Sequence, residues 1–198
     1  MSMEMLFHGV PIVVAPGRVF TPRPATEGLV DAALERIEAG AERVADVGTG
    51  SGAVAVALGL TAPDVEVFAT DSSPEAVALA RLNVARHGLE DRVHVLEGDL
   101  LDPLPEPVEL MVANLPYLPE ASRLEPAHAQ YRAEPATAVY AAGDGLDPYR
   151  RLLAACEDGK LVHGGLALIQ FHRRILEADC QHLGALRDRL ERQALAVA

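Results

Sequence analysis

Along the chain, short β-branched runs alternate with longer stretches whose apolar residues recur at helical spacing. Residues 43–47 (RVADV), 65–70 (VEVFAT), 92–96 (RVHVL), 108–113 (VELMVA) and 165–171 (GLALIQF) read as strands. Residues 53–60, 76–87, 147–157 and 173–192 read as helices. Two boundaries are chemically marked. Ser73-Pro74-Glu75 supplies a cap, a first-turn proline and an acid that suits the helix dipole, and Gly88 supplies a stop. Strands separated by helices of this length need crossover connections, which predicts an α/β fold, a mostly parallel sheet with helices on both faces. The first forty residues differ: 10–15 suits one strand of a small hairpin, and 26–39 an amphipathic helix. The chain therefore divides into a hairpin-and-helix extension over 1–40 and a main domain over 41–198.

Composition narrows the function more than the fold. Apolar residues make up 49% of the chain, enough for one core. Aromatics are only 4% and Trp is absent, so that core rests on Val, Leu, Ile and Ala. Twenty-nine acids against 17 bases give a net charge of -12, which repels phosphate backbones and disfavours nucleic acid as a partner. The densest basic runs, Arg150-Arg151 and Arg173-Arg174, are single pairs and read as solvated helix faces. The longest apolar run, 53–60, is too short to span a bilayer, and the first residues lack the regions of a secretory leader. The expectation is a cytoplasmic chain with no membrane association. Cys156 and Cys180 lie in no metal-type spacing and read as reduced thiols in helices. The seven histidines show no paired spacing either, so no metal is expected.

The first chemical motif is D-V-G-T-G-S-G at 46–52, where a predicted strand ends and a helix begins. Open α/β sheets bind ligands there, and glycines let the backbone turn tightly against one. The next strand ends in Asp71, whose carboxylate could accept both ribose hydroxyls of an adenosine. This arrangement makes the domain Rossmann-like. A tight turn without a ligand is the bland alternative. A sharper one is a nicotinamide enzyme, because Gly48, Gly50 and Ala53 also satisfy G-x-G-x-x-A. Asp46 decides between cofactors on charge. A pyrophosphate is repelled by a carboxylate beside it, whereas the sulfonium and ammonium groups of S-adenosylmethionine are attracted. The candidate cofactor residues are Asp46, Gly48, Thr49, Gly50, Gly52 and Asp71, then Asp99 for the adenine amino group, Leu100 for the ring face, and Asn114.

The second motif, Asn114-Leu115-Pro116-Tyr117, follows the strand VELMVA. It resembles the (N/D/S)-P-P-(Y/F/W) motif of methyltransferases that act on amide or exocyclic amine nitrogens. With the glycine motif upstream, the chain is similar to the HemK/PrmC family of protein-glutamine methyltransferases, which have the class I methyltransferase fold. Two further segments carry the likeness: one ending in Pro22-Arg23-Pro24-Ala25-Thr26-Glu27, and one running from Glu134-Pro135 through Gly143-Asp144-Gly145-Leu146-Asp147-Pro148-Tyr149-Arg150-Arg151. The likeness extends over about residues 6–171.

The resemblance implies S-adenosylmethionine as cofactor and methylation of a glutamine side-chain amide in a protein, a peptide release factor or another translation protein. It implies catalytic roles for Asn114, Leu115, Pro116 and Tyr117. An amide nitrogen is a weak nucleophile, so it needs aiming and stabilisation. Asn114 Oδ1 and the Leu115 carbonyl would accept its two N–H bonds, Pro116 would stiffen the loop and Tyr117 would stack on the amide plane. Residues 120–140 read as a substrate-facing lid. Arg23 is either near the active site or part of a surface salt bridge.

The chain departs from the family at named places. Leu115 stands where the family's first motif proline stands, and N-L-P-Y also resembles adenine dimethyltransferases of ribosomal RNA. Ala25 replaces a Glu, no helical domain precedes Leu6, and the family's last strand pair is not recognisable after Phe171. Two other functions follow as alternatives: a nucleic-acid adenine methyltransferase, and a cofactor-binding subunit without catalysis.

Overall fold

A computed structural model of the chain describes residues 2–170 and 195–197. Strands β1 (Met3–Phe7) and β2 (Val10–Val14) pair antiparallel about the turn His8-Gly9, where φ is +49° and +75°. Helix α1 (Glu27–Glu38) leads into β3 (Arg43–Val47), α2 (Ala53–Thr61), β4 (Glu66–Asp71), α3 (Pro74–Arg86) and β5 (Val93–Glu97). Then come β6 (Val108–Ala113), the short strands β7 (Leu118–Pro119) and β8 (Tyr140–Ala141), α4 (Asp147–Ala155), β9 (Leu161–Ile169) and β10 (Leu195–Val197).

The main sheet runs β10-β9-β6-β3-β4-β5, and every pairing in it is parallel. This is the doubly wound, Rossmann-like α/β architecture with a parallel sheet that the pattern predicts. Alternate strand residues supply two cores, which is why the strands read as unbroken apolar runs. Val44, Val67, Leu110, Val112 and Leu168 face α1, α2 and the hairpin. Ala45, Val47, Met111, Ala113 and Ile169 face Tyr149, Leu152 and Leu153 of α4. Each Leu or Val so buried contributes about 1.5–3 kcal/mol.

Several boundaries differ from the sequence expectation, for local reasons. Strand β9 starts at Leu161 rather than 165, because the ladder to β6 is irregular between Val108 and Leu110 and the extra residues bulge out around Gly164 and Gly165. Helix α4 ends at Ala155, and a wide turn, Cys156–Lys160, closes through Gly159 at φ +94°. Strand β10 was not expected at all. The expected helix over 173–192 and Cys180 lie outside the described residues. No helix among the described residues is long and apolar enough to cross a membrane.

One buried polar residue ties the hairpin to the glycine turn. Asn83 of α3 is fully buried; its Oδ1 accepts the Val13 N–H at 2.9 Å, and its Nδ2 donates to the carbonyls of Val13 and Ser51, both at 2.8 Å. Without it, three buried backbone groups would lose their partners, at about 1–3 kcal/mol each. The turn between β1 and β2 is fixed separately. The His8 N–H donates to Glu27 Oε1 at 3.0 Å, and the His8 ring meets Asp31 at 2.9 Å.

Candidate functional site

The site lies where β3, β4 and β6 end, at the carboxyl edge of the sheet. As β3 ends, the N–H groups of Gly48 and Thr49 both donate to the Thr70 carbonyl at 2.9 Å, folding the chain back towards β4. Gly48 has φ +70°, a conformation that favours glycine, and a Cβ there would come within 2.6 Å of Leu115 Cδ2 and push that side chain aside. Gly52 does something else. It caps α2 at φ +78° and sits against Ala80, where a Cβ would meet the Ala80 Cα at 3.1 Å. Gly52 therefore serves helix packing and does not line the cleft described next.

A cleft of about 300 Å³ is lined by Asp46, Gly48, Thr49, Gly50, Asp71, Asp99, Leu100 and Asn114. The structure thus brings together every cofactor candidate except Gly52. Asp46 is only 4% exposed. Its Oδ2 accepts the Thr49 hydroxyl at 2.6 Å and the Ala55 N–H at 3.1 Å. That N–H belongs to the first turn of α2, so the carboxylate already occupies the end of the helix where an anion would otherwise seat. Burial pushes the Asp46 carboxyl up to about 6, against the pull of Thr49 and Ala55 and with help from the charge of Asp71. Asp71 holds the turn from the other side, accepting the N–H groups of Gly50 and Ser73 at 2.9 Å each. Burial raises its carboxyl too.

At the adenine end expected from the sequence, Asp99 is engaged by Arg151 of α4. Arg151 is exposed, as a solvated helix face predicts, and it also borders the cleft, because α4 lies beside Asp99. Its neighbour Arg150 pairs with Asp144 across the α4 N-terminus. Leu100 lines the cleft with φ +46°, an unusual conformation for a branched residue, and its carbonyl accepts the Thr70 hydroxyl at 2.8 Å.

A second cavity, of about 290 Å³, is lined by Arg23, Tyr117, Tyr131 and Gln170, among others. It shares Phe20, Thr26, Asn114, Leu115, Pro116 and Ala138 with the first. The N-L-P-Y loop is therefore the partition between two chambers. Asn114 Nδ2 donates to the Thr26 hydroxyl at 3.2 Å, which leaves Asn114 Oδ1 as the end able to accept. The Leu115 carbonyl accepts the Tyr149 hydroxyl at 2.7 Å, using part of the capacity that the sequence reading assigned to substrate. Tyr117 faces only the second cavity. Burial and the neighbouring Tyr131, hydrogen-bonded to it, raise its phenol well above the usual range.

Residues 118–141 form the far wall. Strands β7 and β8 pair over two residues, Leu118, Val139 and Tyr140 pack together, and three short 3-10 segments fill the interval. An ion pair, buried on its acidic side, clasps this wall to the segment before α1. Glu134, 6% exposed in its side chain, meets Arg23 at 2.8 Å and accepts the Thr21 N–H at 3.1 Å. Arg23 is thus salt-bridged, and it also lines the second cavity. Sequence reasoning passed over Thr26, Glu134, Arg151 and Gln170, although Glu134 and Arg151 stand in the segment that carries the resemblance.

The family model for the methyltransferase small domain matches residues 24–131. A release factor glutamine methyltransferase of Deinococcus radiodurans is 45% identical over 172 residues, 86% of this chain and 60% of the relative. One from Escherichia coli is 36% identical over 168 residues, covering 83% and 58%. The chain thus spans about three fifths of the length of these curated relatives. Among solved structures, the hMettl16 catalytic domain in complex with a MAT2A 3'UTR hairpin matches with a TM-score of 0.64 at 17% identity, over 91% of this chain and 66% of that one. A precorrin 8W decarboxylase of Methanobacterium thermoautotrophicum matches at 0.54 and 25% identity, over 86% and 74%. The first likeness is one of fold. With the family model matching more than half of its residues, the chain belongs to the methyltransferase small domain family.

Proposed function

We propose that this chain is an S-adenosylmethionine-dependent N-methyltransferase whose acceptor is the side-chain amide of a glutamine in a release factor, acting in the cytoplasm. The observation that carries this reading is the pair of cavities meeting at Asn114, Leu115 and Pro116. One is acidic and glycine-lined; the other is closed by tyrosines and the Arg23–Glu134 clasp. Direct methyl transfer needs two such chambers opening on a shared wall.

The cleft residues fit S-adenosylmethionine. Asp71 would hold the ribose hydroxyls, Asp99 and Leu100 the adenine, and Asp46 would present negative charge to the cationic end. When bound, the cofactor supplies an electrophilic methyl group. The chain's own work is positioning. Asn114 Oδ1, oriented by Thr26, accepts an N–H of the amide, aims the nitrogen and stabilises the positive charge that develops on it. No proton has to move before the methyl does; the methylated nitrogen then releases one N–H proton to solvent, which restores a neutral amide.

Several arginines near the two cavities are paired with acids, Arg18 with Glu75, Arg23 with Glu134 and Arg151 with Asp99. Nothing observed there favours a nucleic-acid backbone. The test is transfer of a labelled methyl from the donor to purified, unmethylated release factor, with ribosomal RNA as the competing acceptor. Label on the protein is expected. Label on the RNA alone, with binding lost steeply as salt is added, would favour the adenine reading instead.

Asp46 makes cofactor affinity depend on pH. A carboxyl whose folded value is about 6 is ionised above it and neutral below it, and only the ionised form attracts a cation. Affinity for S-adenosylmethionine is expected to be constant above neutrality and to weaken by up to about tenfold per unit below pH ~6. Asp46→Asn should remove the step while keeping the turn. Calorimetry at a series of pH values checks this, and a flat wild-type profile would contradict it.

A further inference from the structure

Strands β6 and β9 are hydrogen-bonded neighbours in register, Ala113 beside Ile169. The ladder continues one step further, because the Gln170 N–H donates to the Ala113 carbonyl at 2.9 Å. Asn114 and Gln170 are therefore the first residues past the ends of adjacent parallel strands. Alternation turns both away from the face of Ala113 and Ile169, and both line the second cavity. The Tyr149 hydroxyl ties the two strand ends together, reaching the Leu115 carbonyl, next to Asn114, at 2.7 Å and the Gln170 carbonyl at 3.4 Å.

Gln170 Oε1 is buried and has no hydrogen-bond partner among the described residues. So is Arg23 Nε, a donor, on another residue lining the same cavity. Buried polar atoms are normally paired, and one orphan acceptor with one orphan donor in a single chamber matches the two ends of a primary amide. A carboxylate would instead set its oxygens against Gln170 Oε1 and Asn114 Oδ1. The Leu115 carbonyl already accepts from Tyr149, whereas Gln170 Oε1 accepts from nothing described.

We propose that Gln170 is a substrate-contacting specificity residue: with Asn114 it accepts the two N–H bonds of the acceptor amide, so that the cavity selects a glutamine over a glutamate. This rests on the reading of the second cavity as the amide site. Gln170→Leu removes both polar ends at similar volume; Gln170→Glu keeps an acceptor and removes the donor end. With unmethylated release factor as substrate, Gln170→Leu is expected to lower kcat/KM roughly 10- to 100-fold, mainly through KM. Its melting temperature and its affinity for S-adenosylmethionine should match wild type. Gln170→Glu should stay within about fivefold of wild type, since the accepting oxygen is what the substrate uses. If Gln170→Leu does not fold, Gln170→Met makes the same deletion with an unbranched chain. A folded Leu or Met variant with wild-type kcat/KM, or a Glu variant as impaired as they are, would overturn the assignment. A wild-type chain that transfers no methyl to the release factor would instead bring down the site reading, and this inference with it.

Discussion

Replacing Asn114 with Ala is expected to lower kcat for methyl transfer to release factor by roughly 100- to 1,000-fold, the cost of losing one preorganised hydrogen-bonding group at a site of developing charge. The amide nitrogen begins neutral and gains positive charge as its bond to the methyl forms, so an acceptor oxygen on its N–H is worth more in the transition state than in the ground state. Asn114 Oδ1 suits that task because Thr26 holds the other end of the side chain at 3.2 Å. The affinity for S-adenosylmethionine should change by less than about threefold, since the acids proposed to hold the cofactor are elsewhere in the cleft. Stopped-turnover assays with calorimetry on the same preparation separate the two quantities. Wild-type kcat in Asn114→Ala would show that the nitrogen is aimed by something else.

Asp71→Ala is expected to do the reverse, weakening S-adenosylmethionine by roughly 100-fold or more. A carboxylate accepting two ribose hydroxyls makes charge-assisted bonds of about 1.5–3 kcal/mol each. Asp71 also fastens Gly50 and Ser73 at 2.9 Å, so the substitution loosens the turn that shapes the cleft. Asp71→Asn should weaken binding less than Ala, because it keeps one neutral acceptor for Gly50 or Ser73 while losing the charge and setting an NH2 group against the other N–H. An affinity within threefold of wild type in Asp71→Ala, measured by calorimetry, would remove Asp71 from the cofactor's contacts.

Much of the fold was legible because its signals are local. The runs at 43–47 and 108–113 are β3 and β6 residue for residue, since strands buried on both faces carry unbroken apolar sequence. Ser73 and Pro74 began α3 where their capping chemistry places it, with Ser73 Oγ accepting the Ala76 N–H at 3.4 Å. The start of β9 was missed because a bulge depends on the register of its neighbour, which is not written in the strand itself. The cleft was legible for the same reason as the strands: its acids and glycines sit at strand ends, and topology gathers strand ends automatically.

What escaped was long-range. Asn83 looks like any helical polar residue until the hairpin, 70 positions away, is packed against it. Arg151 is solvated as its sequence suggests, but its place beside Asp99 and the cleft emerges only when α4 is laid against the sheet. The second cavity has no motif of its own, since it arises where the segment before α1, the N-L-P-Y loop and residues 118–141 fold against one another. Gln170 is visible only through the pairing of β9 with β6. The glycine motif divides in a way its sequence does not show: Gly48 and Gly50 line the cleft, while Gly52 packs against Ala80.

The central claim is that the methyl goes to an amide nitrogen of a protein side chain. Its most direct test is fragmentation mass spectrometry of release factor after incubation with this chain and S-adenosylmethionine, against the same mixture with Asn114→Ala. The account predicts one added methyl group on the side-chain nitrogen of a single glutamine, absent with the variant. A methyl found on RNA, on a carboxylate or on a lysine, or one transferred equally by Asn114→Ala, would contradict it.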